Sequence, residues 1–441
     1  MTHVDTLIHA RWLIPVEPDS VVHELYSIAI AQGRIAAIVP SAEARITFSA
    51  DTIVELPEHA LIPGLINAHT HAAMSLFRGL ADDLPLMQWL TEHIWPAEAK
   101  WVNADFVRDG TELAMAEMLH GGTTCFSDMY FFPDQTAHAA AIAGMRAVVG
   151  IILIDFPSAW ANNADEYLHK GLALHDQYQY HPLIKTVFAP HAPYTVSNDP
   201  LQRIAALAEE MDVQITMHVH ETADEIGGSL HQHAERPLAR LQKLGLMSPR
   251  LAAVHMTQLT DAEITLCAQM GTHVIHCPES NMKLASGFCP VQKLLDAGVN
   301  VALGTDGAAS NNDLDMMGEM RMAALLAKAV TGNAAALPAN VALRMATLNG
   351  ARALGLEEEI GSLVVGKSAD ICAVHLGGLS SQPVYHPISQ LVYSTDRHCV
   401  TDVWVAGKQL LKNRALTTLN EQHILAKTQV WQKRIAPADH A

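Results

Sequence analysis

The sequence lacks the patterns that mark membrane, disulfide-rich and nucleic-acid-binding proteins. No apolar stretch reaches the roughly 18 uncharged residues of a membrane-spanning helix. The six cysteines form no C-x-x-C pair, and a chain of 441 residues needs no disulfides to fold. Lys and Arg form no block and the formal net charge is −18, which argues against a nucleic-acid surface. The N-terminus has no basic segment before a long apolar run, so we expect a cytoplasmic protein.

Apolar residues, by contrast, are abundant enough to fill large cores. They make up 49% of the sequence and charged residues 17%, which excludes a disordered chain. At about 100–200 residues per domain the length allows two to four domains, although an α/β barrel alone takes about 250 residues.

Two β-rich ends flank a region in which strands and helices alternate. Eight apolar runs, the first being LIPGLINAHTH, are separated by amphipathic segments, which is the count that a (β/α)8 barrel requires. No G-x-G-x-x-G follows any of these runs, which disfavours an open doubly wound sheet. We predict an α/β fold with a TIM barrel over residues 61–359. Residues 1–60 and 360–441 are predicted to form one small β-sandwich domain, the latter ending in a C-terminal helix.

Metal-ligand side chains close most of the predicted barrel strands. His69 and His71 follow the first run, and alternate residues of a strand face one side with Cα atoms roughly 6.5 Å apart. An H-x-H pair alone is common in loops. Further strand ends carry His191, His218, His255, His276 and Asp306. Because (β/α)8 enzymes place catalytic residues at the C-terminal rim, we expect a shared metal or catalytic site there.

The motifs PGLINAHTH, MHVHET, VHMT, HCPESN and GTDGAASNN together resemble the amidohydrolase superfamily of metal-dependent hydrolases and deaminases. The likeness covers nearly the whole chain and implies one metal per subunit, Zn²⁺ or alternatively Fe²⁺, held by His69, His71, His218 and Asp306. A binuclear member would have a carboxylated lysine at the end of strand 4. Here that end carries His191, and Lys185 lies at the strand's start.

The resemblance also assigns catalytic roles at the rim. Glu221 matches the acid/base glutamate of the deaminases, while His255 and Asp306 would help deprotonate and orient the attacking water. The alternative for Glu221 is a solvated acid at a helix N-terminus.

Two further histidines are harder to assign. His220 shares a strand face with His218 and could compete as a ligand. We choose His218 because the family's metal histidine stands three residues before the glutamate. His276 is expected either to orient the site or to be a structural histidine.

Within the superfamily, HTHAAMSLFRGLADDLPLMQWL, WPAEAKW and APHAPYTVS resemble the nucleoside deaminases acting on 5′-methylthioadenosine and S-adenosylhomocysteine. This implies zinc-dependent hydrolytic deamination at C6 of the adenine ring, giving the inosine analogue and ammonia. Glu98 would bind the ribose hydroxyls and His191 would contact the substrate, together with Glu221 and Asp306. Arg146 and the stretch DFPSAWANNADEYL are further pocket candidates.

Two other functions stay open on sequence alone. The same mononuclear centre could deaminate or hydrolyse another heterocycle, such as guanine, cytosine or a triazine, because the pocket decides the substrate. A non-catalytic scaffold that kept the barrel is the more remote alternative. We expect a small-molecule nucleoside partner, no nucleic acid or membrane, and a homo-oligomer.

Overall fold

The computed structural model describes residues 1–436, whose strands form two eight-stranded sheets. The strands are β1 (Thr2–Leu13), β2 (His23–Ala31), β3 (Arg34–Pro40), β4 (Phe48–Pro63), β5 (Leu65–Thr70), β6 (Thr123–Asp128), β7 (Arg146–Leu153), β8 (Ile184–Pro190), β9 (Ile215–Val219), β10 (Leu251–His255), β11 (His273–His276), β12 (Val301–Leu303), β13 (Ile371–His375), β14 (Val400–Val405), β15 (Lys408–Lys412) and β16 (Ala415–Leu416).

The first sheet is mixed and combines both ends of the chain. Its order is β16-β15-β14-β13-β4-β1-β2-β3, in which β1 and β4 pair in parallel and the other neighbours are antiparallel. In β2 the four residues 27–30 are buried in succession, and β3 is mostly half-buried or exposed. The limits of the two domains at residues 60 and 359 stay a prediction.

The second sheet contains β5 to β12 in chain order, all parallel. The residues of β5, β6 and β7 are buried throughout, because helices cover one face of the sheet and the barrel interior covers the other. The last strand returns to the first, where the Asp306 amide donates to the His69 carbonyl at 3.0 Å. The predicted TIM barrel with a β-sandwich domain from both chain ends is confirmed.

Helices connect and cover the strands. They are α1 (Ser41–Thr47), α2 (Leu86–Gln88), α3 (Trp95–Trp101), α4 (Ala104–His120), α5 (Pro133–Ala143), α6 (Ala164–Tyr178), α7 (Asn198–Met211), α8 (Ala223–His233), α9 (Pro237–Lys243), α10 (Asp261–Met270), α11 (Pro278–Lys283), α12 (Val291–Asp296), α13 (Ala308–Asn311), α14 (Met316–Thr331), α15 (Ala339–Met345), α16 (Leu348–Ala353), α17 (Pro387–Tyr393) and α18 (Glu421–Ile435). A π-helix over Trp89–Ile94 joins α2 to α3, and 3₁₀ turns occur at Ala72–Phe77 and Arg397–Cys399. Within residues 1–436, no helix has the length and hydropathy to cross a bilayer.

The run LIPGLINAHTH is not one strand, as the sequence predicts, but the joint between the two sheets. β4 of the mixed sheet ends at Pro63, and β5 of the barrel begins at Leu65. At Gly64 a Cβ atom would overlap the Thr124 side chain, so only glycine fits the turn. An apolar pattern cannot show this change of sheet, because both strands are buried there.

Candidate active site

Three histidines and one aspartate converge at the C-terminal rim of the barrel. The distance from His218 Nε2 to His69 Nε2 is 3.1 Å. Asp306 Oδ1 lies 3.1 Å from His71 Nε2 and 3.5 Å from His69 Nε2. One ligand atom from each residue lies within 4.8 Å of the other three. No other such group of three or more His, Cys, Asp or Glu residues occurs within 1–436.

Backbone carbonyls determine which ring nitrogens face this centre. His71 Nδ1 lies 2.6 Å from the Met129 carbonyl, and His218 Nδ1 lies 2.8 Å from the His191 carbonyl. Since a carbonyl only accepts, each Nδ1 donates a hydrogen, and in the neutral ring Nε2 then faces the centre with a free lone pair. Imidazole lone pairs that converge with a carboxylate oxygen fit a bound cation.

Asp306 is held by two hydroxyl groups on the side away from the histidines. Ser280 Oγ and Ser310 Oγ donate to its Oδ2 at 2.7 and 2.8 Å, which leaves Oδ1 for the centre. The backbone of Asp306 is in the left-handed region, with φ of 64°. Such backbone strain in a non-glycine residue is typical of functional sites.

Glu221 and His255 lie beside the four converging side chains. The distance from Glu221 Oε2 to His255 Nε2 is 3.8 Å, and both residues are buried. Desolvation raises the pKa of the Glu221 carboxyl above its ordinary value. A buried carboxyl at this position is suited to accept and donate protons in the cavity.

A cavity of about 550 Å³ opens in front of this centre. The residues that the sequence assigns to metal, catalysis or substrate line it, except the buried His69 and the pocket candidate Arg146. The walls are apolar and include Trp89, Leu90, Ile94, Trp95, Ile154 and Phe156. The predicted stretch DFPSAWANNADEYL contributes through residues 156–159. The site is therefore a small-molecule pocket and not a groove for a polymer.

A second carboxyl group, Glu98 of α3, faces the same cavity. The Tyr130 hydroxyl donates to Glu98 Oε1 at 2.8 Å, which orients the carboxyl. Burial raises the pKa of Glu98 to about 7. His191 lines the cavity directly after β8, and its Nδ1 is 3.0 Å from the Thr195 hydroxyl.

His220 does not compete for the centre. The strand expected to continue through VQITMHVHE ends at Val219, and His220 has φ of 55°. Its Nε2 accepts the Leu238 amide at 3.2 Å, which holds the ring against α9. His220 therefore does not share a strand face with His218, contrary to what the strand period predicts.

Arg146, a candidate for the pocket, lies at the opposite end of the barrel, and that interpretation is wrong. It begins β7, so its guanidinium is at the N-terminal rim. There it donates to both carboxylate oxygens of Asp370, at 2.9 and 3.1 Å. His276 ends β11 and is buried, but it does not line the cavity. Lys185 donates to the carbonyls of residues 354 and 355 at the far rim.

Sequence reasoning missed the residues that hold the site in place. Ser280 and Asn281 belong to the motif HCPESN and Ser310 to GTDGAASNN, yet none of them was singled out. Tyr130 follows β6 by two residues, so the rule that placed the histidines at strand ends could have found it. The hydroxyl partners of Asp306 come from two short helices, α11 and α13, that follow different strands, which no local pattern reveals.

An eight-stranded parallel barrel whose C-terminal rim joins three histidines, an aspartate and a buried glutamate defines a class of metal-dependent hydrolases. The chain belongs to the amidohydrolase family, whose model matches residues 60–410. It is 52% identical over 434 residues to the 5-methylthioadenosine/S-adenosylhomocysteine deaminase of Teredinibacter turnerae, covering 98% of each chain. The deaminase of the same name from Saccharophagus degradans is 51% identical, over 98% of this chain and 97% of that one.

Solved structures agree with this placement. An adenosine deaminase from Xanthomonas campestris with bound zinc superposes with a TM-score of 0.98 at 53% identity, over 98% of this chain and 99% of that one. The zinc complex of atrazine chlorohydrolase from Arthrobacter aurescens has a TM-score of 0.90 at 25% identity, over 97% and 99%.

Proposed function

We propose that the protein is a zinc-dependent deaminase of adenosine-type nucleosides. It would convert 5′-methylthioadenosine and S-adenosylhomocysteine to the inosine analogues and ammonia. The observation that carries this proposal is one cavity that joins a cation-binding cluster, a buried acid/base carboxyl and a second carboxyl oriented by a tyrosine. The names of the relatives and of the zinc-bound neighbour support the same reaction.

Four side chains would hold the zinc ion. They are His69, His71, His218 and Asp306. Three neutral imidazoles and one carboxylate suit Zn²⁺, although Fe²⁺ accepts the same ligands. When bound, the ion supplies Lewis acidity that lowers the pKa of a water molecule from 15.7 towards about 7.

Glu221 would move the protons of the reaction. Its carboxylate takes a proton from the attacking water and gives it to a ring nitrogen as the oxygen adds to C6. Collapse of the tetrahedral carbon then breaks the C6–N bond, and the amino group leaves as ammonia with the second proton of that water. His255, 3.8 Å from Glu221, would orient the water together with Asp306.

Glu98 and His191 would position the nucleoside. A carboxylate can accept a hydrogen bond from each of two vicinal hydroxyls, so Glu98 fits a ribose. The apolar wall around Trp89, Trp95 and Phe156 would cover the adenine and the thioether group.

The experiment is an ammonia-release screen with zinc-loaded enzyme. The substrates are the two thioether nucleosides, adenosine, guanine, cytosine and a triazine. We expect the highest kcat/KM on an adenosine-type nucleoside and one zinc per chain. A preference for a free base or a triazine would overturn the nucleoside assignment, and two metals per chain would overturn the mononuclear centre.

We also propose that the chain forms a homo-oligomer and acts in the cytoplasm. Light scattering during gel filtration tests the first, since a mass of 47.8 kDa would show a monomer instead. Fractionation of the native cells tests the second, and an extracytoplasmic location would contradict it.

A further inference from the structure

Two adjacent side chains of α11, the short helix after β11, contact two different residues of the catalytic centre. They are Ser280 and Asn281, which belong to α11 and are exposed by 0% and 1%. Neither lines the cavity. Their contacts therefore act on the reaction only through other residues.

The Asn281 amide bonds to His255. Its Oδ1 lies 2.8 Å from His255 Nδ1. An amide oxygen only accepts, so His255 donates from Nδ1 and keeps the lone pair on Nε2. That lone pair faces the cavity beside Glu221. His255 has φ of 75°, in the left-handed region that non-glycine residues adopt mainly at functional sites.

The backbone around Asn281 does not depend on the Asn281 side chain. Backbone bonds hold it, from the Asn281 amide to the Cys277 carbonyl and from the Ser286 amide to the Asn281 carbonyl. The Nδ2 group of Asn281 has no partner within residues 1–436. The amide side chain is thus buried for a single hydrogen bond, the one to His255.

Ser280 contacts the other side of the centre. Its hydroxyl donates to Asp306 Oδ2 at 2.7 Å and so turns Oδ1 towards the histidines. Two consecutive residues of α11 therefore contact the Asp306 carboxylate with one side chain and the His255 imidazole with the next.

We propose that Asn281 is a positioning residue that keeps His255 in the tautomer with a free Nε2, while Ser280 positions Asp306. The proposal rests on the proposed deaminase function for its kinetic consequences. Its structural part, the tautomer of His255, stands independently of the substrate.

The kinetic test is a double-mutant cycle with Asn281→Ala and His255→Ala. Asn281→Ala should lower kcat about 10–100-fold, as loss of a supporting partner does, with KM and zinc content nearly unchanged. In the His255→Ala background the same change should cost less than about threefold, because two residues that act as one unit are not additive. Asn281→Asp keeps an acceptor for Nδ1 and should retain more activity than Asn281→Ala.

The control is Asn349→Ala, which removes a buried asparagine whose Nδ2 donates to the Val301 carbonyl at the far rim. Its effect on kcat should be small and equal in both backgrounds. Losses from Asn281→Ala that multiply with those from His255→Ala would overturn the proposal, as would normal turnover in Asn281→Ala.

A readout without catalysis separates this proposal from the proposed function. In ¹⁵N-histidine-labelled, zinc-loaded protein, His255 should give a slowly exchanging Nδ1–H signal that His255→Ala removes. Asn281→Ala should also abolish it, and Asn349→Ala should leave it. A His255 signal from Nε2–H would overturn the proposal even if the deaminase assignment held. Absent turnover with the Nδ1–H signal in place would overturn only the function.

The Ser280 arm has its own measurement. Ser280→Ala should weaken zinc affinity about 10–100-fold in competition with a chelator, because Asp306 loses a partner that orients it. Ser280→Thr keeps the hydroxyl and serves as the conservative variant. Unchanged affinity in Ser280→Ala would overturn this arm.

Discussion

At the scale of single residues, orientation matters more than identity. Two imidazoles of the centre donate from Nδ1 to backbone carbonyls, so their free Nε2 lone pairs converge. Asp306 presents one oxygen because two serines occupy the other. Glu221 is buried beside them without joining the converging atoms, which leaves it free to exchange protons.

Glu221→Gln should keep the zinc ion and lose most turnover. The amide has the same shape but cannot take a proton, and such groups typically contribute about 10²–10⁴-fold. Zinc content and kcat on 5′-methylthioadenosine measure the two effects. A Gln variant with normal turnover, or one purified without metal, would speak against the acid/base role.

Glu98→Ala tests whether the cavity holds a ribose. Charge-assisted hydrogen bonds are worth about 1.5–3 kcal/mol each, so kcat/KM for the nucleoside should fall about 10–1000-fold. The value for free adenine should hardly change. Glu92→Ala is the matched control, since Glu92 is an exposed acid six residues earlier, bonded to Gln88. Equal losses on nucleoside and free base would contradict ribose binding.

At the scale of elements, a chain of aromatic contacts links the C-terminal helix to the segment that follows His71. The Trp431 ring packs on Phe106 at 5.3 Å, and Phe106 packs on Phe77 at 4.7 Å. Phe77 ends the 3₁₀ turn after His71, and Trp89 and Ile94 of the π-helix belong to the same cluster. Helix α18 therefore supports one wall of the cavity from behind.

Trp431→Ala should destabilise the protein by about 3–5 kcal/mol, the usual result of removing a buried aromatic side chain. KM should rise while the zinc content stays nearly unchanged, because Trp431 packs in the cluster that forms the apolar wall of the cavity. Trp431→Phe keeps the ring but loses the indole bond to Asp109, and should be milder. Urea unfolding and Michaelis kinetics provide the comparison. A Trp431→Ala variant as stable as the wild type would show that α18 is not a support.

The same scale explains what the sequence could and could not predict. Strand order and the ends of parallel strands follow from local periodicity, so His69, His218, His255 and Asp306 could be expected at one rim. The role of His220 could not be predicted, because the strand ends at Val219 and the positive φ of His220 breaks the alternation of strand faces. Contacts between elements that are distant in sequence, such as Asn281 of α11 to His255 of β10, leave no periodic signal at all.

At the scale of the whole molecule, a buried ion pair joins the barrel to the mixed sheet. The guanidinium of Arg146 in β7 donates to both carboxylate oxygens of Asp370, which lies next to β13. It also donates to the hydroxyl of Ser368. Both charged residues are almost completely buried. Because parallel strands run towards the catalytic rim, this joint at the strand starts lies away from the chemistry.

Arg146→Ala should therefore lower the free energy of unfolding without altering the active site. Removal of one partner from a buried ion pair typically costs about 3–5 kcal/mol. The Arg146→Met, Asp370→Leu double variant removes both charges and should recover part of the loss. Denaturant unfolding and kcat per zinc are the measurements. A large fall in kcat of the folded, zinc-loaded variant would contradict a purely structural role of Arg146.

The most direct measurement of the proposed reaction is the product formed from 5′-methylthioadenosine in ¹⁸O-labelled water. Hydrolysis at C6 predicts the inosine analogue with one ¹⁸O on the purine ring and one ammonia per turnover, both formed about 10²–10⁴-fold more slowly in Glu221→Gln. Release of free adenine, or a deaminated product without the label, would contradict hydrolytic deamination by this site.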